Sequence, residues 1–187
     1  LLTRLRYKIQ GLLLAGGIFA AKAGLTPNVA SGVGFLLAII AGVLYYYGTL
    51  WPAAISLLGS GIFDALDGAI ARATARISKF GGVLDSVLDR AGEIVIYSGV
   101  ILGGLSDPIL GLATIGLSLL VSYSRARVEA EGLSLAAIGI AERPERLLIL
   151  LASTLVGQIQ LGLLIISAIS AVTLVQRLSY AYRKLSG

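Results

Sequence analysis

From Asn28 to Tyr47 the chain runs for 20 residues without a charged side chain, and apolar stretches of comparable length recur to its end. In a helix rising 1.5 Å per residue such a run measures about 30 Å, the thickness of a bilayer's hydrocarbon core. The whole chain agrees: 57% of its 187 residues are hydrophobic, 13% are charged and the mean hydropathy is +0.91. That leaves too little polar surface for a soluble domain of this size. An all-α integral membrane protein is the fold class expected, with residues 1–187 forming one membrane domain.

Helix punctuation divides the chain. The run from Gly11 to Ala21 is short, and is flanked by Arg4, Arg6 and Lys8 on one side and Lys22 on the other. This pattern predicts an amphipathic helix lying in the membrane interface within residues 1–25. The charges at 1–10 exclude a signal-peptide core. The first residue is Leu1, not methionine, so more chain is expected ahead of it. Pro27 suits a first helical turn, and a first span is expected over 28–47. Five more are expected at about 51–75, 80–102, 108–130, 144–157 and 160–183.

Charge placement tests the count of six. All 15 Lys and Arg residues fall at or near one set of helix ends, and the connectors between spans 1 and 2, 3 and 4, and 5 and 6 have none. The positive-inside pattern places those ends, and both termini, in the cytoplasm; five or seven spans would break it. The expected location is the cell membrane, multi-pass. The 24 glycines, mixed with Ala and Ser, fit close helix packing, with Gly68 and Gly81 as exceptions taken up below.

The chain has no cysteine and no histidine. Disulfides, Cys/His zinc sites and histidine acid–base chemistry are excluded. Chemistry must rest on carboxylates, cations and hydroxyls.

The carboxylates sit in FDALDGAIARATARISKFGGVLDSVLDR, residues 63–90. Asp64, Asp67, Gly68, Ala71 and Arg72 recur at i, i+3, i+4, i+7 and i+8 and share one helix face. Gly81, Asp85 and Asp89 stack every four residues on the next helix, and Glu93 adds a turn. A short connection around Ser78 and Lys79 requires these helices to run antiparallel, so they are expected to pack together with their acidic faces meeting. An ionised Asp in a spanning helix costs roughly 2.5–3.5 kcal/mol, so four facing one another need positive charge between them. Pairing with Arg72, Arg76, Lys79 and Arg90 is one source. Hard oxygen donors also suit Mg²⁺, Mn²⁺ or Ca²⁺ over zinc, and four carboxylates suffice for two ions about 3.5–4 Å apart. Gly68 and Gly81 leave room for a ligand, and Arg72 has the bidentate fork that grips phosphate. Intramembrane carboxylates also mark ion paths, so a divalent-cation transporter is the rival from another class. Clustering of all four aspartates toward one membrane boundary speaks against it.

The pattern D-x2-D-G-x2-A-R-x8-G-x3-D-x3-D, filled by Asp64, Asp67, Gly68, Ala71, Arg72, Gly81, Asp85 and Asp89, resembles the signature of the CDP-alcohol phosphotransferases. The interfacial helix, the LTPN entry to the first span and the six spans resemble that family too. The resemblance implies transfer of a phosphoalcohol from a CDP-linked donor to an acceptor hydroxyl, releasing CMP. It implies two Mg²⁺ or Mn²⁺ ions on Asp64, Asp67, Asp85 and Asp89, with Asp89 also the proton acceptor. It implies donor binding by Pro27, Asn28, Gly68, Ala71, Arg72, Ser78 and Gly81. A homodimer in the membrane lipid is expected; no nucleic-acid partner is.

A second charged cluster lies in SYSRARVEAEGL, 122–133, and ERPER, 142–146. Arg125, Arg127, Arg143, Arg146 and, from a later helix end, Arg177 bring more positive charge than the aspartates require. Anchoring to anionic headgroups or neutralisation by Glu129, Glu131, Glu142 and Glu145 would account for part of it. The segment is also similar to the subgroup that makes inositol phosphate phospholipids. That similarity implies inositol 1-phosphate as acceptor, its phosphate held by Ser122, Arg125, Arg127, Arg146 and Arg177. Arg125 stands where relatives can carry lysine. Glycerol 3-phosphate is the nearest rival acceptor; serine offers no phosphate to so many arginines. CDP-diacylglycerol and CDP-archaeol are both open as donors.

Overall fold

The structure, a computed structural model, describes residues 2–75, 78–135 and 138–186. Arg76, one of the cations weighed above, lies outside them. Seven helices follow in order: α1 (Leu2–Lys22), α2 (Pro27–Tyr46), α3 (Leu50–Thr74), α4 (Lys79–Leu102), α5 (Pro108–Ala130), α6 (Arg143–Leu155) and α7 (Ile159–Leu185). The ends follow local chemistry. Pro27 and Pro108 occupy first-turn positions, where a missing N–H costs nothing. Asp107 caps α5 by accepting hydrogen bonds from the Ile109 and Leu110 amides at 2.9 and 3.0 Å. Ser78 caps α4 by accepting from the Gly81 amide at 2.9 Å.

Four helices, α2, α3, α5 and α7, are long and apolar enough to cross a membrane. α4 has the length, at 24 residues, but carries Lys79, Asp85, Asp89, Arg90 and Glu93. α6 is the shortest, at 13 residues, or about 20 Å against a core of about 30 Å. The expectation of six clear spans is met plainly only by these four.

Packing departs from expectation in one respect that matters for the site. The backbones of α3 and α4 do not pack closely on each other; both pack on α2. α2 and α4 run side by side so closely that a Cβ on Gly42 would lie 2.7 Å from the Val95 carbonyl oxygen, and one on Gly99 would collide with the Gly42 carbonyl. Local signals in a sequence favour consecutive elements as neighbours, whereas the glycines of α2 and α4 make the helix before α3 the better partner for α4. α1 lies on α3, α5 on α4 and α7, and α6 on α3 and α7.

The apolar core fills the half of the bundle away from the cations. It joins Ala38, Ala41 and Tyr45 of α2, Leu57 of α3, Ile96 and Val100 of α4, Leu150 of α6 and Leu163 and Ile166 of α7. The Tyr45 hydroxyl shares a 2.7 Å hydrogen bond with Thr154 across it, so a buried polar group does not go unpaired. Close packing of one half leaves the other, where the backbones of α3 and α4 do not pack closely on each other, free to hold polar groups.

Candidate active site

Helical spacing puts Asp64 and Asp67 on one face of α3 and Asp85 on the facing side of α4. One carboxylate oxygen from each of these three lies within 4.8 Å of the other two. α2 closes the group from a third side: the Ser31 hydroxyl donates to Asp67 Oδ2 at 2.6 Å. Asp67 is buried. Three carboxylates from two helices, meeting near one end of the bundle, form an all-oxygen donor set of the kind that suits a hard divalent cation. Among the described residues only one guanidinium, that of Arg143, ion-pairs with any of the three, and it reaches Asp64 alone. The negative charge therefore exceeds the positive charge supplied by the chain, which fits a bound divalent ion.

Asp89, one turn further along α4, stands outside this trio. Its Oδ2 receives Arg90 at 3.1 Å and its Oδ1 lies 2.7 Å from Arg143. The same Arg143 nitrogen lies 2.5 Å from Asp64 Oδ1. Arg143 comes from the first turn of α6 and is 8% exposed. In the sequence it is only one of the surplus cations. A residue so far along the chain from the aspartates gives no local signal of where it points.

Two cavities open on either side. The first is lined by Asp67 and Asp85 together with Pro27, Asn28, Gly68, Ala71, Ser78 and Gly81, six of the seven residues expected to bind the donor. The seventh, Arg72, is exposed, but its guanidinium folds back so that a Cβ on Gly68 would lie 3.2 Å from it. At Gly81 a Cβ would lie 2.8 Å from Ser78 Oγ and 3.1 Å from Asn28 Oδ1. Space at both glycines is thus taken by polar groups beside the cavity. Ser31 also lines it, although no motif marks it; it sits one turn after Pro27 on α2.

The second cavity is lined by Asp64 and Asp89 on one wall and by Ser122, Arg125, Arg143, Arg146 and Arg177 on the others. Its arginines are held differently. Arg146 donates from Nε and Nη2 to the two oxygens of Glu93 at 2.9 and 2.8 Å, and from Nη1 to the Ala141 carbonyl at 2.5 Å. Arg177 donates to the Ile138 and Val121 carbonyls at 3.0 and 2.6 Å. Arg125 is shared between Glu129 and Glu142, each at 3.0 Å. Glu142, which in the sequence reads only as a neutraliser, thus orients Arg125. Arg127 does not line this cavity; it is exposed and pairs with Glu131 one turn along, the spacing at which a helix brings opposite charges together.

The chain is similar to known proteins in sequence and in fold. Residues 24–179 match the family model described as CDP-alcohol phosphatidyltransferase. The chain is 39% identical over 185 residues to the archaetidylinositol phosphate synthase of Pyrococcus horikoshii, covering 99% of this chain and 98% of that one. It is 36% identical over 174 residues to the phosphatidylinositol phosphate synthase of Mycolicibacterium smegmatis, covering 84% and 78%. Its fold is similar to crystal structures of the Mycobacterium tuberculosis phosphatidylinositol phosphate synthase. The structure with CDP-DAG bound gives a TM-score of 0.79 at 29% identity over 91% of this chain and 93% of that one. The structure in complex with manganese and citrate gives 0.79 at 29% over 91% and 88%.

Proposed function

This chain belongs to the CDP-alcohol phosphatidyltransferase family, and on that premise we propose that it joins a CDP-linked lipid to inositol 1-phosphate, forming an inositol phosphate phospholipid and CMP. The chain is a multi-pass membrane transferase of phospholipid synthesis. The observation that carries the acceptor assignment is the second cavity: three buried or half-buried arginines beyond the carboxylates, Arg125, Arg146 and Arg177, converge with Ser122 on one space beside Asp89. A phosphate monoester meets that charge; a neutral acceptor does not.

The residues divide the work. The first cavity takes the CDP end of the donor, with Arg72 over Gly68 and the Ser78–Gly81 turn against its phosphates and Pro27 and Asn28 on the α2 side. Asp64, Asp67 and Asp85, with Asp89 beside them, are the residues to hold Mg²⁺ or Mn²⁺, as two ions. Such ions neutralise charge on the donor diphosphate and on departing CMP. Asp89 faces both the carboxylate trio and the acceptor cavity. It takes the proton of the inositol hydroxyl as that oxygen bonds to the lipid-side phosphorus and the bridge to CMP breaks. Arg127, outside the cavity, has the weakest case among the acceptor residues.

Arg90 of α4, Arg125 of α5, Arg143 and Arg146 of α6 and Arg177 of α7 gather on the side of Asp64 and Asp89, which supports a reading with six crossings, an interfacial α1 and both termini in the cytoplasm. On this reading 1–187 is one domain in the cell membrane, working as a homodimer, with either CDP-diacylglycerol or CDP-archaeol as donor. The transporter reading loses its support, because the carboxylates lie at one end of the bundle and the other end is closed by the apolar core.

The test is acceptor-dependent CMP release by the purified chain in detergent with Mn²⁺ and a CDP-lipid, offering inositol 1-phosphate, glycerol 3-phosphate and serine separately. Release with inositol 1-phosphate, abolished by chelation, is expected. Release with glycerol 3-phosphate alone would overturn the acceptor assignment.

A further inference from the structure

Arg143 differs from the other buried arginines of the bundle. Arg146 and Arg177 are each fixed by backbone carbonyls and by a glutamate outside the carboxylate trio. Arg143 has no such anchor. Its close partners are Asp64 at 2.5 Å and Asp89 at 2.7 Å, both through Nη1, and these are ion pairs only: neither Nη1 nor Nε has a partner in hydrogen-bond geometry. It lines the small space between Asp64, Asp85 and Asp89 and also the wall of the acceptor-side cavity. Gly92 of α4 stands beside it: an added Cβ would lie 4.0 Å from Arg143 Nη2. A cation with two carboxylate partners, no structural tether and a place in both cavities is shared between them.

We propose that Arg143 is a shared counter-ion that couples the two sites: a divalent ion at the carboxylates and a phosphate in the acceptor cavity each favour binding of the other through it. The inference rests on the reading that Asp64, Asp67 and Asp85 hold a divalent ion. Without either ligand, Arg143 neutralises Asp64 and Asp89. A divalent ion takes over that neutralisation and leaves the guanidinium to an incoming phosphate. A phosphate drawing on Arg143 leaves Asp64 to the ion. Linkage makes the effect reciprocal, and couplings of this kind typically change affinity by about 5- to 150-fold. Joint occupancy follows: the acceptor binds more tightly to protein whose carboxylates are loaded, and the ion more tightly to protein that holds the acceptor, so Asp89 and the acceptor hydroxyl meet mainly in a charge-balanced site.

The experiment measures Mn²⁺ binding by the full chain in detergent, from the free-ion electron paramagnetic resonance signal, with and without inositol 1-phosphate and against a protein-free blank. In the wild type, inositol 1-phosphate is expected to tighten Mn²⁺ binding at least about fivefold. Arg143→Gln is expected to bind Mn²⁺ more tightly than wild type and to show no response to inositol 1-phosphate. Mn²⁺ binding by Arg143→Gln that is no tighter than wild type, or an equal response in both proteins, overturns the proposal. Should Arg143→Gln not fold, Arg143→Lys decides: the shorter lysine reaches the two carboxylates less well, so tighter Mn²⁺ binding than wild type supports the coupling and equal binding sinks it. Wild-type protein that binds no Mn²⁺ would instead remove the metal reading itself and the coupling with it.

Discussion

Glu93 of α4 and Arg146 of α6, 53 residues apart, form a two-pronged ion pair at 2.9 and 2.8 Å in which both side chains are almost wholly buried, at 2% and 1% exposure. The pair ties the helix that carries Asp85 and Asp89 to the helix that carries Arg143. It stands directly behind the acceptor cavity, with Arg146 on its wall. Removing one partner strands a buried charge. Glu93→Ala is therefore expected to destabilise the chain by about 3–5 kcal/mol, read as a fall in thermal midpoint in detergent. Replacing both residues with apolar ones of similar volume is expected to recover most of that loss while leaving acceptor-dependent activity absent. Equal stability of Glu93→Ala and wild type would mean that the pair contributes nothing.

The Ser31 hydroxyl fixes one oxygen of Asp67 at 2.6 Å. Partners of this kind, which hold a ligand carboxylate without touching the metal, are worth about 10–100-fold in metal affinity. Ser31→Ala should weaken Mn²⁺ binding by about that factor with the helical content unchanged. Ser31→Thr, which keeps the hydroxyl, should retain most of the affinity. Isothermal titration of both variants checks this, and an unchanged constant in Ser31→Ala would show that Asp67 needs no such support.

At Gly81 an added methyl would meet Ser78 Oγ and Asn28 Oδ1 at 2.8 and 3.1 Å. The hydroxyl must move, and with it one wall of the donor cavity. Gly81→Ala is expected to raise KM for the CDP-lipid by about tenfold, equivalent to about 1.4 kcal/mol of binding, with a smaller effect on kcat. Initial rates across a donor titration give the split, and a fall in kcat alone would place Gly81 elsewhere in the reaction.

Asp89→Asn keeps the shape of the side chain and removes its ability to accept a proton. CMP release is expected to fall by about 100-fold or more, the usual scale of a general base, while KM for the CDP-lipid changes little and the protein remains folded. Full activity in this variant would remove the base assignment.

What the sequence makes legible is what acts locally. Helix ends are legible, because Pro27, Pro108 and Ser78 act within a turn; the ends of α2, α3, α4 and α5 lie within a residue or so of those expected. The acidic stripes are legible for the same reason, since spacing by three and four fixes a face without knowledge of any other helix. Residues whose roles arise from packing are not. Ser31 reaches Asp67 because α2 packs on α3, with Gly34 against Ser60 and Phe63, while Gly42 and Gly99 let α2 approach α4 as well. Arg143 and Arg127 look alike in sequence, each in a run of alternating charge, yet one reaches two aspartates and the other pairs with Glu131 one turn along.

The central claim is that the carboxylate trio and the arginine-lined cavity together join a CDP-linked lipid to inositol 1-phosphate. Its most direct test is a competition: the purified chain with Mn²⁺, one CDP-lipid and equal concentrations of inositol 1-phosphate and glycerol 3-phosphate, with the lipid product identified by mass. A product carrying inositol phosphate, in at least about tenfold excess as about 1.4 kcal/mol of discrimination would give, is the predicted result. A product carrying glycerol phosphate in excess would contradict it.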